Sequence, residues 1–269
     1  MLRILLFYLL LSPLARGQHS ALSSTLSGST RSLAGAGICR WEGEGEMDHP
    51  AHLALAGSYS IQMTGLNYYL IPGINSLALT ACKRLDDRHV IGWSGLIEGS
   101  EDLQEGVFSL AFARKLHAHT QAGIGLLYMR TMTPTTEDIQ RVSFELGLQS
   151  RLCNGLLAGF VLRNPIPTGS AERIAFPPVF KTGVNYKVQA NLEALLEIHK
   201  YGKQNLAVTG GIRYRAVPGM VISCGVNTNG PKFALGFQYR HGDAMRWQIF
   251  AEHHLSLGFS PGIGWIYQN

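Results

Sequence analysis

From Gly57 onward, apolar residues alternate with small or polar residues in segments of about 8–12 residues, separated by turn residues. In 232–240, for example, the sequence KFALGFQYR has a large apolar residue at every second position. A period of two predicts β-strands that have one apolar face. About fourteen such strands are predicted, near 57–66, 75–84, 88–98, 105–115, 118–130, 141–151, 154–163, 179–187, 190–200, 204–215, 219–226, 231–240, 244–253 and 258–267.

The connections between these segments carry turn residues, such as Asn154-Gly155 and Pro218-Gly219, which are typical of tight hairpins. Three connections are expected to be longer, at 99–104, at 131–140 and at the Pro-rich 164–177. Consecutive strands that are joined by hairpins predict an antiparallel, all-β fold.

Composition distinguishes two all-β architectures, a soluble sandwich or propeller and a transmembrane β-barrel. Charged residues make up only 15% of the 269 residues, whereas a typical soluble domain has about 25%. A soluble protein of this size needs a charged exterior, but a barrel directs its apolar face to lipid and its polar face to the lumen. Beyond the N-terminus, no apolar run is long enough for a transmembrane helix. We therefore predict a transmembrane antiparallel β-barrel.

The N-terminus has the features of a signal peptide. Arg3 supplies a positive charge, Leu5–Leu11 is an uninterrupted apolar run, and Ala15-Arg16-Gly17 places small residues at the cleavage positions. We expect cleavage before Gln18. The predicted organisation is a signal peptide over 1–17, an N-terminal segment over 18–56 without strand alternation, and the barrel over 57–269.

The N-terminal segment resembles that of FadL-like outer-membrane barrels. It has a small-residue, Gly-rich run over 31–37 and then the sequence DHPAHLA over 48–54, which is similar to the "NPA-x-L" element of the PorV/PorQ-type barrels of Bacteroidota. Strands over 192–200, 210–215 and 233–239 are also similar to those of the family. The residues that carry the N-terminal resemblance are Gly35, Gly37, His49, Pro50, Ala51 and Leu53.

This resemblance implies a fourteen-stranded barrel whose N-terminal segment plugs the lumen. The chain departs from the family in three ways: His49 replaces the usual Asn, the chain ends Trp265-Ile266-Tyr267-Gln268-Asn269 without a terminal aromatic residue, and it leaves little length for extracellular loops.

The polar face of the predicted strands collects charges of both signs. In a low-dielectric lumen such groups must pair, so we expect a network that braces the barrel and seats the plug, in preference to a constriction that selects solutes. Uncharged lumen positions such as Gln149 are expected to accept an arginine at little cost. The charged positions are Glu145, Glu193, Glu197, His199, Arg213, Arg215, Arg240, Arg246 and Glu252.

Catalytic, metal and nucleic-acid sites are not predicted. His253 and His254 alternate across a strand, and His117-x-His119 has no identifiable third ligand. The basic residues are scattered, which argues against nucleic acid as a partner. No cofactor is implied.

The four cysteines have no CxxC spacing, and their pairing is left open by the sequence. Cys82 and Cys224 lie within predicted strands, where they are interpreted as small wall residues. The other two are Cys39 and Cys153.

Two functions remain for a non-enzymatic barrel of the bacterial outer membrane, with its lipids as partners. The short loops favour a PorV/PorQ-like accessory subunit of a secretion or assembly machine, whose other outer-membrane or periplasmic subunits would be further partners. The alternative is a FadL-like transporter that passes hydrophobic or small solutes. A lateral opening in the barrel wall would favour the transporter.

Overall fold

The computed structural model describes residue 21 and residues 24–43, 48–134, 136–166, 176–228 and 232–269. The predicted signal peptide over 1–17 and its cleavage site before Gln18 lie outside these residues. In the described part of the chain, no helix is long and apolar enough to cross a membrane.

The fourteen strands form a closed barrel in which each strand pairs antiparallel with its neighbours in sequence, and β1 pairs with β14. The predicted fold class is therefore confirmed, and every predicted strand is present. The strands are β1 Tyr59–Asn67, β2 Asn75–Arg84, β3 His89–Gly99, β4 Gln104–His117, β5 Thr120–Thr133, β6 Thr136–Cys153, β7 Leu156–Arg163, β8 Val179–Gln189, β9 Leu192–Tyr201, β10 Ala207–Val217, β11 Met220–Asn227, β12 Lys232–His241, β13 Met245–His254 and β14 Gly258–Gln268.

The apolar face of the sheet points out of the barrel. On β12, the Leu235 side chain is 64% exposed, whereas the flanking Ala234 is 2% exposed. Ile249 on the neighbouring β13 is also 64% exposed. Large apolar side chains outside and buried polar side chains inside are the reverse of a soluble sheet, and this arrangement matches a barrel that is surrounded by lipid.

The two ends of the barrel differ in the length of their connections. At the end where β1 begins and β14 finishes, which we call the termini end, the connections have two to four residues. The opposite end, the loop end, carries the two longest connections, 68–74 and 164–178. The longer connection predicted at 164–177 is therefore present, although residues 167–175 lie outside the described part of the chain.

The longer connection predicted at 131–140 is wrong, and the one predicted at 99–104 is shortened to the four residues 100–103. β5 and β6 continue to Thr133 and Thr136, which are register partners, and Arg130 Nε donates to Asp138 Oδ2 at 2.9 Å across the hairpin. Beyond the membrane-facing region a strand needs backbone pairing but no apolar face, so the loss of alternation did not mark its end. The connection at 100–103 is closed by a hydrogen bond from Ser100 N to Leu103 O.

The described residues of the segment 21–56 fill the lumen, and we call them the plug. It contains a short helix α1 over Gly28–Arg31 and a 3-10 helix over Pro50–Leu55, and nearly all of its side chains are buried. The 3-10 helix packs on the inner face of β3 to β6, and α1 packs on β12 to β14. The plug therefore spans the lumen and contacts opposite sides of the wall.

Candidate functional site

Polar side chains of the wall hold the plug by its backbone. Gln149 accepts from Arg40 N at 2.8 Å and donates to Arg40 O at 3.0 Å, as a neighbouring strand would. Asn185 Nδ2 donates to Cys39 O at 3.1 Å, and Glu197 Oε1 accepts from Ile38 N at 2.7 Å. The predicted tolerance of an arginine at Gln149 is wrong, because this side chain is 2% exposed and satisfies buried backbone groups.

Glycines of the wall provide the space that the plug occupies. A Cβ atom at Gly225 would lie 2.3 Å from the carbonyl carbon of Leu33, and one at Gly123 would lie 2.4 Å from that of Pro50. At Gly236 it would lie 2.3 Å from Ser32 Cβ. These contacts are too short for any side chain, so the plug and the wall are fitted to each other at backbone distance.

The predicted plug motif forms the start of the 3-10 helix. His49 Nδ1 accepts from Ala51 N at 3.1 Å, so the imidazole provides the N-cap acceptor that an Asn side chain usually supplies. Pro50 lies in the first turn, where its missing N–H costs nothing. Leu53 is fully buried. Of the two motif glycines, Gly35 has a φ of +99° and closes the turn after α1.

The second motif glycine, Gly37, lies against Thr30, whose Oγ1 would be 2.4 Å from an added Cβ atom. Thr30 is the last but one residue of α1. Gly37 therefore allows the chain to fold back on the helix within the lumen.

A stacked pair of histidines lies inside the plug, which does not itself cross the membrane. The rings of His49 and His52 are 4.5 Å apart with an angle of 12° between their planes. Burial and the nearby Arg40 guanidinium lower the pKa of His52 to about 4, and burial and the neighbouring His52 lower the pKa of His49. Both rings are therefore neutral near pH 7, and His52 Nε2 donates to Ile38 O at 3.0 Å.

The structure brings together only some of the predicted lumen charges. Arg213 and Glu193 are register partners with 3.9 Å between Nη1 and Oε1. Glu197 Oε2 lies 2.9 Å from His199 Nε2, and both side chains are almost fully buried. Arg215 does not contact either glutamate of β9 but pairs at 3.1 Å with Glu42 of the plug.

Other predicted charges pair with residues that the sequence interpretation missed. Glu145 accepts from Arg163 Nε at 2.8 Å, and Glu252 Oε2 accepts from Lys232 Nζ at 3.0 Å. Arg31 of the plug lies 3.7 Å from Glu252. Arg163 and Lys232 occupy inward positions of β7 and β12, so the strand alternation could have identified them.

Arg240 and Arg246 form a separate group at the termini end. They are register partners on β12 and β13, and both side chains point inward. Arg246 Nη1 donates to Gln268 Oε1 at 3.0 Å. The predicted charges therefore form several clusters along the lumen.

The inner surface of β2 to β5 carries an extended apolar cluster. Side chains from these strands, including Val90, Leu96 and Leu127, form one buried cluster with Leu53 and Ala54 of the plug. The predicted charge clusters lie on β6 to β14, and we call this the polar side of the lumen and the wall of β2 to β5 its apolar side. The apolar side also carries Glu98, which accepts from Ser24 Oγ at 2.7 Å.

A cavity of about 640 Å³ opens on the membrane-facing surface of this apolar side. Outward-facing aromatic and aliphatic side chains, such as Trp93 and Phe112, form its rim. Its floor includes inward-facing residues of small size. These floor residues are Cys82, Gly92, Ala111 and Gly125.

The wall between this cavity and the plug is one backbone thick. A Cβ atom at Gly92 would lie 3.0 Å from Leu53 Cδ2 on the inside of the barrel. The 3-10 helix of the plug therefore lies directly behind the floor of the membrane-facing cavity.

The described residues contain no cluster of metal-ligating side chains. No group of three or more His, Cys, Asp or Glu side chains there could hold a metal ion. The rings of His117 and His119 are 6.2 Å apart at the β4–β5 turn, and the His253 ring lies 4.3 Å from that of Phe259 at an angle of 50°. All four cysteines are free, and Cys82 and Cys224 lie in strands of the wall.

The fold is similar to that of solved transport barrels. The monoaromatic hydrocarbon channel CymD superposes with a TM-score of 0.67 at 11% identity, over 93% of this chain and 99% of that one. A FadL homologue from Pseudomonas aeruginosa gives 0.64 at 11% identity, over 91% and 97% of the two chains. The toluene transporter TbuX from Ralstonia pickettii gives 0.66 at 10% identity, over 92% and 99%.

These similarities show the fold, a FadL-type barrel of fourteen strands. No protein-family model and no curated protein matches the sequence. Nothing in the comparisons supports the PorV/PorQ likeness, or the link to a type IX secretion machine that this likeness implies.

Proposed function

We propose that this chain is an outer-membrane transporter that passes small hydrophobic solutes, and that it is not an enzyme. The observation that carries the proposal is the membrane-facing cavity. Inward-facing residues form part of its floor, and the apolar cluster of the lumen lies directly behind this floor. A volume of about 640 Å³ is within the range of about 300–1,000 Å³ that is usual for small-molecule sites. The similarity to a monoaromatic hydrocarbon channel and a toluene transporter supports the same solute class.

In this proposal the solute exchanges between the membrane and the lumen at Gly92, where β3 carries no side chain. The backbone pairing of Gly92 with Cys82 or with Ala111 must open for the solute to pass. An apolar solute is favourably dissolved in the hydrocarbon of the bilayer, so a route that begins in the membrane avoids transfer through water. The 3-10 helix of the plug must shift for the solute to pass, because Leu53 lies behind Gly92.

The test is uptake of radiolabelled toluene by cells that contain the protein. Ala81→Trp places a large ring in the cavity, which Ala81 lines, and we expect uptake to fall several-fold. Ala194→Trp is the matched control, because Ala194 occupies an outward-facing position of β9 and does not line the cavity. Equal uptake by both variants, or no uptake by the wild type above cells without the protein, would contradict the proposal; the second result would favour a sealed accessory barrel.

A further inference from the structure

A second cavity lies at the termini end of the lumen, on the polar side. It has a volume of about 270 Å³, and its lining includes guanidinium groups from three strands. We call it the arginine vestibule. Its charged and amide residues are Arg213, Arg215, Arg240, Arg246, Glu42 and Gln238.

We propose that the arginine vestibule binds a small anion that carries carboxylate or phosphate oxygens. Four guanidinium groups and one carboxylate line the cavity, and Glu193 pairs with Arg213 from outside the lining, so guanidinium groups outnumber carboxylates among the described residues here. Guanidinium groups recognise carboxylate and phosphate through paired, charge-assisted hydrogen bonds. The proposal is independent of the solute that crosses the wall, because the vestibule is on the opposite, polar side of the lumen.

The register of the strands forces like charges together in the vestibule. Arg240 and Arg246 lie directly opposite each other on β12 and β13, and like charges at such positions repel. Among the described residues, no carboxylate pairs with Arg240. An anion between these two strands would relieve the repulsion.

The vestibule is also accessible from solution. Arg215 and Glu42, the ion pair at its edge, have side chains that are 40% and 62% exposed. The β10–β11 turn at Pro218 and Gly219 forms part of the rim, which places the opening at the termini end. Because Glu42 pairs with Arg215, its carboxylate competes with an incoming anion for this guanidinium.

The test is calorimetric titration of the full-length protein in detergent with sodium phosphate and, separately, with sodium acetate, at constant ionic strength. We expect saturable binding of at least one of these probes to the wild type. Arg240→Gln should weaken it about tenfold, the loss expected for one hydrogen bond to a charged group. Arg240→Lys should retain part of the affinity, and Glu42→Gln should increase it.

Two matched controls carry the same changes in charge at the loop end. Lys203→Gln removes one exposed positive charge and Glu101→Gln removes one exposed negative charge, and neither should alter binding. Absence of saturable binding to the wild type, or equal effects of Arg240→Gln and Lys203→Gln, would overturn the proposal. Arg240 is exposed, so its variants should fold, and unchanged heat-modifiability on gels verifies this.

A third titration, with the protein in nanodiscs, distinguishes a lipid headgroup from a free anion. If phosphatidylglycerol discs, but not phosphatidylcholine discs, abolish the phosphate titration, the anion is a lipid headgroup. If phosphate binds equally in both kinds of disc, the site takes a free anion from the aqueous phase.

Discussion

A single added methyl group at Gly225 should loosen the plug. Gly225 lies on β11 and faces inward, and a Cβ atom at this position would lie 2.3 Å from the Leu33 carbonyl carbon. Gly210→Ala on the neighbouring β10 is the matched control, because Gly210 faces outward and its nearest atoms would be 3.9 Å away. Both changes add the same methyl group to the same sheet.

The expected size of the effect follows from these contacts. An ordinary contact begins at 3.4 Å, so the Leu33 backbone must move by about 1 Å in Gly225→Ala. Overpacking of this kind costs about 1–3 kcal/mol. The entropy that alanine removes from the unfolded chain does not enter here, because β11 is folded whether the plug is seated or displaced. A loss of about 1–3 kcal/mol would increase the ratio of displaced to seated plug by about 5–150-fold.

Single-channel recording in planar bilayers measures this ratio directly. We expect Gly225→Ala to spend a larger fraction of time in conducting states than the wild type, and Gly210→Ala to behave as the wild type does. Limited proteolysis in detergent gives a second measurement, because a displaced plug exposes cleavage sites. If Gly225→Ala and Gly210→Ala are equally closed and equally resistant to protease, the plug does not depend on close contact with the wall glycines.

Three further predictions test the membrane face, the plug anchor and its pH dependence. Leu235→Arg, at an outward position of β12 that is 64% exposed, should destabilise the barrel in lipid by about 2–4 kcal/mol. If a folding titration in lipid gives the variant the same free energy of unfolding as the wild type, that result would argue for a soluble sheet. Glu197→Gln should lower the thermal unfolding midpoint and leave toluene uptake unchanged, because Glu197 accepts hydrogen bonds from Ile38 N and His199. A variant with a normal unfolding midpoint but altered uptake would instead place Glu197 on the solute path. The pKa of His52 is lowered to about 4 in the folded state, whereas the ordinary pKa of histidine is about 6.5. The free energy of unfolding should therefore have its full value above pH 6.5 and should fall as the pH decreases from 6.5 toward 4. His52→Gln should flatten this dependence in urea unfolding between pH 7 and pH 4, and an unchanged slope would show that other groups cause it.

The strands and their two faces could be predicted because they follow from local geometry. Successive side chains of a strand point to opposite faces whatever the strand pairs with, so alternation in 232–240 and 192–199 is already present in the sequence. The low charge content then decided which face meets lipid. The prediction was wrong at 131–140, where β5 and β6 extend beyond the apolar region and their pairing depends on backbone hydrogen bonds that no side-chain pattern reports.

The partners of the lumen charges were decided by the tertiary structure. Alternation shows that Arg215 faces inward, but only the closed barrel and the seated plug bring Glu42 to it across 173 positions of sequence. The same is true of Gln149, which in sequence is an ordinary lumen amide and in the structure completes the backbone hydrogen bonding of Arg40.

The sequence by itself therefore determined which residues form strands, which side of each strand faces lipid and which residues belong to the lumen. The tertiary structure decided how the plug sits against Gly123 and Gly225, where the wall thins at Gly92, and why Arg240 faces Arg246. The physical reason is that the first set depends on a period of two within one segment. The second set depends on distances between segments that meet only when the barrel closes around the plug.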